Sequence, residues 1–333
     1  MLITSRIVGY EQDARFSDGR FNHHKVARLL PEDVRRFVEL WYEERIAGEL
    51  DRTEHCEDLT SILEDVQNES IRDLASNPLL LTIICLVHRV DGTLPDERVV
   101  LYHKCTETLL NTWHNWKFKS NDRVKRNATE RRNRARMEFI AYCMQGLFDS
   151  TDEEQRAVVP LEMVSEILVD YLEREEPLVT DAEAEADLFL RFVRERAGLL
   201  IEVGDGQFSF LHLTFQEYLA ATYLKKEMEA VATDASVAPE QAVGIHAVWR
   251  LIDKNNRHAN TRWHETIRLL VASLERPDAQ RFLVENILPK SDDIDASFVT
   301  RTLLAGGILL DQVEGAVVLG EEIIERLLRC AID

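Results

Sequence analysis

A lone histidine marks the point where a strand pattern becomes a helix pattern. Between Gln207 and His212 the apolar side chains Phe208 and Phe210 alternate with polar ones, the period of a half-buried strand. From Phe215 onward Tyr218, Leu219, Thr222 and Tyr223 recur on one helical face. Thr214 followed by Glu217 reads as a capping box, with Leu213 able to staple onto Tyr218, which predicts a helix starting at about Phe215. His212 then stands at a helix mouth, where unpaired backbone N–H groups and the positive end of the dipole favour an anion such as phosphate. An ordinary polar neighbour of a helix start accounts for the same spacing.

The second feature with chemical content is Lys117 to Arg136. It holds nine Lys or Arg residues against Asp122 and Glu130, a local excess of seven positive charges beside Trp113, Trp116 and Phe118. Basic groups next to aromatics suit a nucleic acid or another anion. Lys119 to Thr129 lacks apolar period, however, and a solvated linker running into a basic first helical turn explains the stretch as well. The five cysteines are scattered with no C-x-x-C, four of them within helix-like apolar patterns, so neither a disulfide framework nor a zinc site is expected. His103 with Cys105, or Cys85 with His88, offers half a metal site at most. No metal site is assigned. No glycine precedes a lysine, which excludes a G-x-x-x-x-G-K-[ST] phosphate loop, and neither a G-x-S-x-G elbow nor H-E-x-x-H is present. No complete catalytic constellation stands in the chain.

The elements that must position these residues follow from composition and periodicity. A chain of 333 residues with 45 % hydrophobic and 30 % charged residues is a folded, multi-module composition. A formal charge of −20 argues against a general nucleic-acid coat. No apolar run approaches the roughly 20 residues that cross a bilayer and no secretory leader is visible, so a cytoplasmic, membrane-free protein is expected. Met1 to Thr4 reads as a short strand with Arg6 just past its carboxyl end, where open α/β sheets place ligands. A lone strand cannot bury both its faces, so its sheet partners are expected upstream of residue 1. Lys25 to Leu30 reads as a second strand, and Pro31 starts a helix through about Glu44. Helical period holds from Leu59 to Trp116, with Asn77-Pro78 at a helix start and Gly92 to Pro95 as a break.

After residue 130 come three helices: Met137 to Leu147, one started by Pro160, and Ala182 to Ala197 stopped by Gly198. Strands Leu199 to Val203 and Gln207 to His212 follow, joined by Gly204-Asp205-Gly206. Three helices and a hairpin make a winged helix. Its third helix carries Glu183, Glu185, Asp187 and Glu195 against Arg191, Arg194 and Arg196, a net charge of about −1 that disfavours DNA reading by that helix. Beyond an Ala- and acid-rich stretch, helices are expected near 245–253, 262–275, 278–288, 297–310 and 315–330, a solenoid-like region with no fixed repeat.

Three blocks in order, Leu2-Ile-Thr-Ser-Arg6, Asn77-Pro-Leu-Leu-Leu81 with Leu94-Pro-Asp-Glu-Arg98 and Leu101-Tyr102, and Phe210 to Ala221, resemble the second half of NACHT-module NTPases of the STAND class, the bacterial and NOD-like-receptor members above all. That resemblance implies an ATP/ADP switch, with magnesium, in which nucleotide, helical and winged-helix domains close over ADP and a C-terminal region senses the trigger. It matches Arg6 to the sensor-1 arginine, Pro78 to the proline beside the adenine, and His212 to the histidine on the ADP β-phosphate. The implied partners are an upstream NTPase half, missing or carried on a separate chain, further copies of the protein on activation, and an unidentified trigger, expected to be a protein. Antiphage signalling in bacteria is the implied setting.

The expected fold class is mainly α. Residues 1–50 are expected as a remnant of a parallel α/β NTPase sheet, 51–118 as a helical bundle, 119–129 as a basic linker and 130–227 as the winged helix with its β-hairpin. Residues 228–241 follow as a linker and 242–333 as the C-terminal helical region. Lacking the phosphate loop and magnesium-binding acids, this chain alone is expected neither to hydrolyse ATP nor to bind nucleotide tightly. The alternative is a non-enzymatic helical adaptor that binds another protein.

Overall fold

A computed structural model describes residues 24, 27–65, 69–95, 98–117, 123–147, 158–193, 199–204, 206–231, 243–290 and 294–332. The expected strand Met1 to Thr4, and Arg6 with it, lie outside these residues. The chain divides into two compact units, Met1–Phe118 and Lys119–Asp333. It is mainly helical, with one small antiparallel sheet. Among the described residues no helix is long and apolar enough to cross a membrane.

The first unit contains α1 (Pro31–Glu43), α2 (Glu49–Glu64), α3 (Glu69–Ala75), α4 (Pro78–Asp91) and α5 (Arg98–Lys117). The α1 start follows from Pro31 in the first turn, with Asp33 accepting from the Leu30 N–H at 3.3 Å. The strand expected at Lys25 to Leu30 is not formed in its described part: residues 27–30 are irregular, and the Leu29 N–H donates to the Ser76 carbonyl at the end of α3 instead of to a sheet neighbour. Asn77 caps α4 by accepting from the Leu79 and Leu80 N–H groups, and Gly92 closes that helix in the left-handed region at φ 79°. Val38, Trp41 and Tyr42 of α1 bury with Leu59 and Leu63 of α2 and Leu80, Leu81, Ile83 and Ile84 of α4.

The second unit opens with α6 (Arg123–Leu147), a single long helix. Residues 123–129, expected as linker, are its first turns. Arg and Lys are good helix formers, so a polar stretch without apolar period can still extend a helix whose later turns are anchored. A two-residue strand β1 (Val159–Pro160) leads into α7 (Leu161–Glu175), followed by α8 (Ala182–Phe192), β2 (Leu200–Gly204) and β3 (Gln207–Phe210). Asp181 caps α8 through the Ala184 N–H; the rest of the helix expected to Ala197, and its stop at Gly198, lie outside the described residues. The sheet order is β1-β3-β2, all antiparallel, with Leu200 opposite Phe210 and Val159 opposite Phe208. Gly206 holds the wing turn at φ 67°, and its carbonyl accepts from the Leu161 N–H, tying the wing to the start of α7.

From β3 the chain enters α9 (Leu213–Val231), then α10 (Val243–Asp253), a 3-10 segment Lys254–Ala259, α11 (Thr261–Ser273), α12 (Pro277–Ile287), α13 (Ala296–Leu310), α14 (Glu314–Val317) and α15 (Gly320–Ile332). The helix expected over 315–330 is two pieces. A turn at Val318 and Leu319 separates them, and Leu319 is buried at that joint. The winged helix and the C-terminal helices share one core. Tyr142 of α6 stacks on Tyr223 of α9 at 4.8 Å and meets Trp263 of α11 edge-on at 6.1 Å.

Candidate functional site

The second unit builds its most distinctive polar feature at the β3–α9 turn. Phe208 and Phe210 are buried under the sheet and Phe215 under the first turn of α9, so the intervening Leu211 to Thr214 are forced to the rim. The Leu211 N–H, just past the end of β3, donates to the Leu199 carbonyl at 2.7 Å, which ties the chain one residue ahead of the histidine to the start of β2. The strand stops at Phe210, two residues earlier than its alternation implies.

His212 itself caps α9. Its carbonyl accepts from the Phe215 N–H at 3.1 Å, and its Nδ1 lies 3.3 Å from the Thr214 N–H and 3.1 Å from Thr214 Oγ1. The capping role assigned to Thr214 therefore belongs to His212, and the helix begins at Leu213 instead of Phe215. The physical reason is that an imidazole nitrogen two bonds beyond Cβ reaches the same N–H that an Asp or Asn oxygen reaches. An Nδ1 that accepts from a backbone N–H carries no hydrogen, so the capping form of the ring is the neutral Nε2–H tautomer.

Behind this turn α6 and α9 are held by buried ionic contacts. Glu138, fully buried, accepts from Arg134 Nε at 2.9 Å and pairs with Lys226; Arg134 also donates to the Tyr218 hydroxyl at 3.1 Å. Arg136 is buried and forks onto Glu176 with two 2.8 Å bonds, pairs with Glu185 at 2.8 Å, and lies over the Phe189 ring. Burial opposes its charge, but the two carboxylates outweigh that and raise its pKa. Two arginines of the basic stretch are thus internal ties of the winged helix. Arg131 and Arg132 stay exposed.

The face that α8 turns to solvent carries Glu183, Asp187, Leu188 and Arg191. Carboxylates on that face repel a phosphate backbone.

In the first unit Pro78 is the first residue of α4 and is exposed. Arg6 lies outside the described residues, and Pro78 and His212 belong to different units, each placed within its own. The half-sites weighed for metal are spent on other work. His88 is fully buried, with Nε2 2.8 Å from Asp58 Oδ2 and Nδ1 2.6 Å from the Tyr42 hydroxyl, so both ring nitrogens are used. The Cys85 and Cys105 thiols are each pushed up to about 12 by burial and hold their protons as small apolar groups. Among the described residues no group of three or more His, Cys, Asp or Glu side chains could hold a metal ion. The Tyr42–His88–Asp58 chain was not found from sequence, because its members lie on three helices with no common motif.

No curated protein matches the chain. A family model described as the winged helix-turn-helix domain C-terminal to NACHT matches residues 98–224, a span that runs from the start of α5 through the first half of α9 and includes the three-stranded sheet, the acidic α8 and the histidine cap. With the fold and this match in agreement, residues 98–224 form a winged helix-turn-helix domain similar to the one that lies C-terminal to NACHT.

Proposed function

We propose that the chain is the responsive portion of a NACHT-type ATP/ADP switch in which the winged helix closes over bound ADP in the resting state. The observation that carries this reading is His212 at the amino end of α9, within a domain matched to the winged helix that follows NACHT. A phosphate at that helix end would meet the favourable end of the dipole and the imidazole Nε2–H. The donor set fits one side of a nucleotide diphosphate only, because the motif for a phosphate loop is absent from these 333 residues. Bound nucleotide would supply the charge that holds the domains shut. Arg6 reading the γ-phosphate and Pro78 flanking the adenine complete the proposed contacts.

On this reading ADP retention is autoinhibition, activation opens the domains for self-assembly, and bacterial antiphage signalling is the setting. The test is ADP release from the protein joined to its upstream NTPase half: His212→Ala should release ADP faster, and unchanged release would reject the contact. Translating the DNA upstream of Met1 tests whether such a half precedes the chain. An in-frame phosphate loop followed by an apolar strand with acids supports the switch, and a stop codon beside an unrelated gene rejects it.

One observation favours the adaptor reading instead. Gln145 donates to the Arg262 carbonyl and accepts from Gln216, and Lys225 donates to the Ser273 carbonyl, welding α6 and α9 to α11. A rigid body of that kind can serve as a protein-binding platform without nucleotide.

A further inference from the structure

Six large apolar side chains between residues 303 and 328 stand between 52 % and 82 % exposed: Leu303, Leu310, Val317, Val318, Ile324 and Leu328. Isolated exposed leucines are ordinary; what sets these apart is their placement on one seam. Leu303, Gly306 and Leu310 follow one another at i, i+3 and i+7 on α13, which puts them on one stripe. Gly306 is where α15 crosses that stripe, since a Cβ there would lie 3.1 Å from Leu327 Cδ1. Leu303 and Leu310 therefore flank the crossing. On α15, Ile324 and Leu328 sit beside Leu327, one turn apart, and the α14–α15 joint adds Val317 and Val318.

The rim of this seam is acidic. Glu314, Glu321 and Glu325 are exposed with no ion pair among the described residues. The nearby guanidiniums are already engaged, Arg326 with Glu322 and Arg329 over the Phe298 ring. An apolar stripe two to three turns long between unpaired carboxylates is the complement of an amphipathic helix with basic flanks. We infer that the α13–α15 seam is a docking site for such a helix from a protein partner. As a binding site it stands on these side chains alone; as the place where a trigger acts, it rests on the switch reading above.

The test uses the full chain and two synthetic amphipathic peptides of about five helical turns. Both carry leucines at i, i+3, i+4 and i+7; one is flanked by lysines and the other by glutamates. The lysine-flanked peptide should bind at least ten-fold more tightly, protect 303–328 from hydrogen exchange, and weaken with salt. Ile324→Asp with Leu328→Asp should remove binding. Glu321→Lys with Glu325→Lys should reverse the preference between the peptides, a result that misfolding cannot imitate. The proposal is overturned if neither peptide binds, if either double variant behaves as wild type, or if sedimentation shows a wild-type dimer that Ile324→Asp dissociates, in which case the seam serves a second copy. None of these readouts depends on ADP, so loss of the nucleotide reading leaves them unaffected.

Discussion

Arg136→Ala should unlock the winged helix. The guanidinium side chain is 4 % exposed and the Glu176 carboxylate 11 %, so removing the cation strands a desolvated anion between α6 and the end of α7. Breaking a buried pair from one side costs about 3–5 kcal/mol. The Glu185 arm adds little, since that carboxylate is 36 % exposed and water can take over. We therefore expect about 3 kcal/mol of lost stability, which at a typical urea dependence of about 1–3 kcal/mol per molar lowers the midpoint by roughly 1–3 M. Because the chain has two units, a bulk signal would mix two transitions. Hydrogen exchange of the α6–α8 amides in urea isolates the affected one. Arg136→Met with Glu176→Leu removes both charges and should restore all but about 1 kcal/mol. A single-variant loss below about 1 kcal/mol, or a double variant as unstable as the single, would refute the buried-pair argument.

Three further outcomes follow from particular contacts. Burial, and then the Arg268 charge, lowers the His264 pKa to about 4, while the unfolded side chain titrates near 6.5. The unfolded state takes the proton first, so this stabilisation is complete above about pH 6.5 and is lost as pH falls toward 4, by no more than about 3 kcal/mol. Thermal melts from pH 7 to 4 should show that fall, and His264→Gln should flatten it. Gly315→Ala places a Cβ 2.5 Å from the Arg281 N and from Gln280 Cβ, and should cost about 1–3 kcal/mol by prising α14 from α12, measured as a lower melting temperature. Thr214→Val removes a hydroxyl 3.1 Å from His212 Nδ1 and leaves the backbone cap, so α9 should lose less than about 1 kcal/mol by urea unfolding.

What the residues reveal locally and what they conceal separates along one line. Starts and stops written by a single residue were legible: Pro31, Asn77-Pro78 and Gly92 end or begin helices where their backbone chemistry demands. The hairpin was legible from alternation and the glycines around Asp205. The strand Val159–Pro160 was not, because two residues have no period and exist as strand only by pairing with β3. Arg136 was hidden in a basic run for the same reason: its partners lie 40 and 49 positions further along the chain. The cap at α9 was misplaced because Thr214 is a commoner cap than histidine, and only the observed Nδ1 geometry separates the two.

The central claim is the proposed contact of the winged-helix histidine with ADP, and the most direct measurement is the ADP dissociation rate from the protein joined to the NTPase half proposed for it, with and without His212→Ala. One hydrogen bond to a charged oxygen contributes about 1.5–3 kcal/mol, so the account predicts release roughly 10- to 100-fold faster in the variant with the fold intact. Equal rates in the two proteins would contradict it.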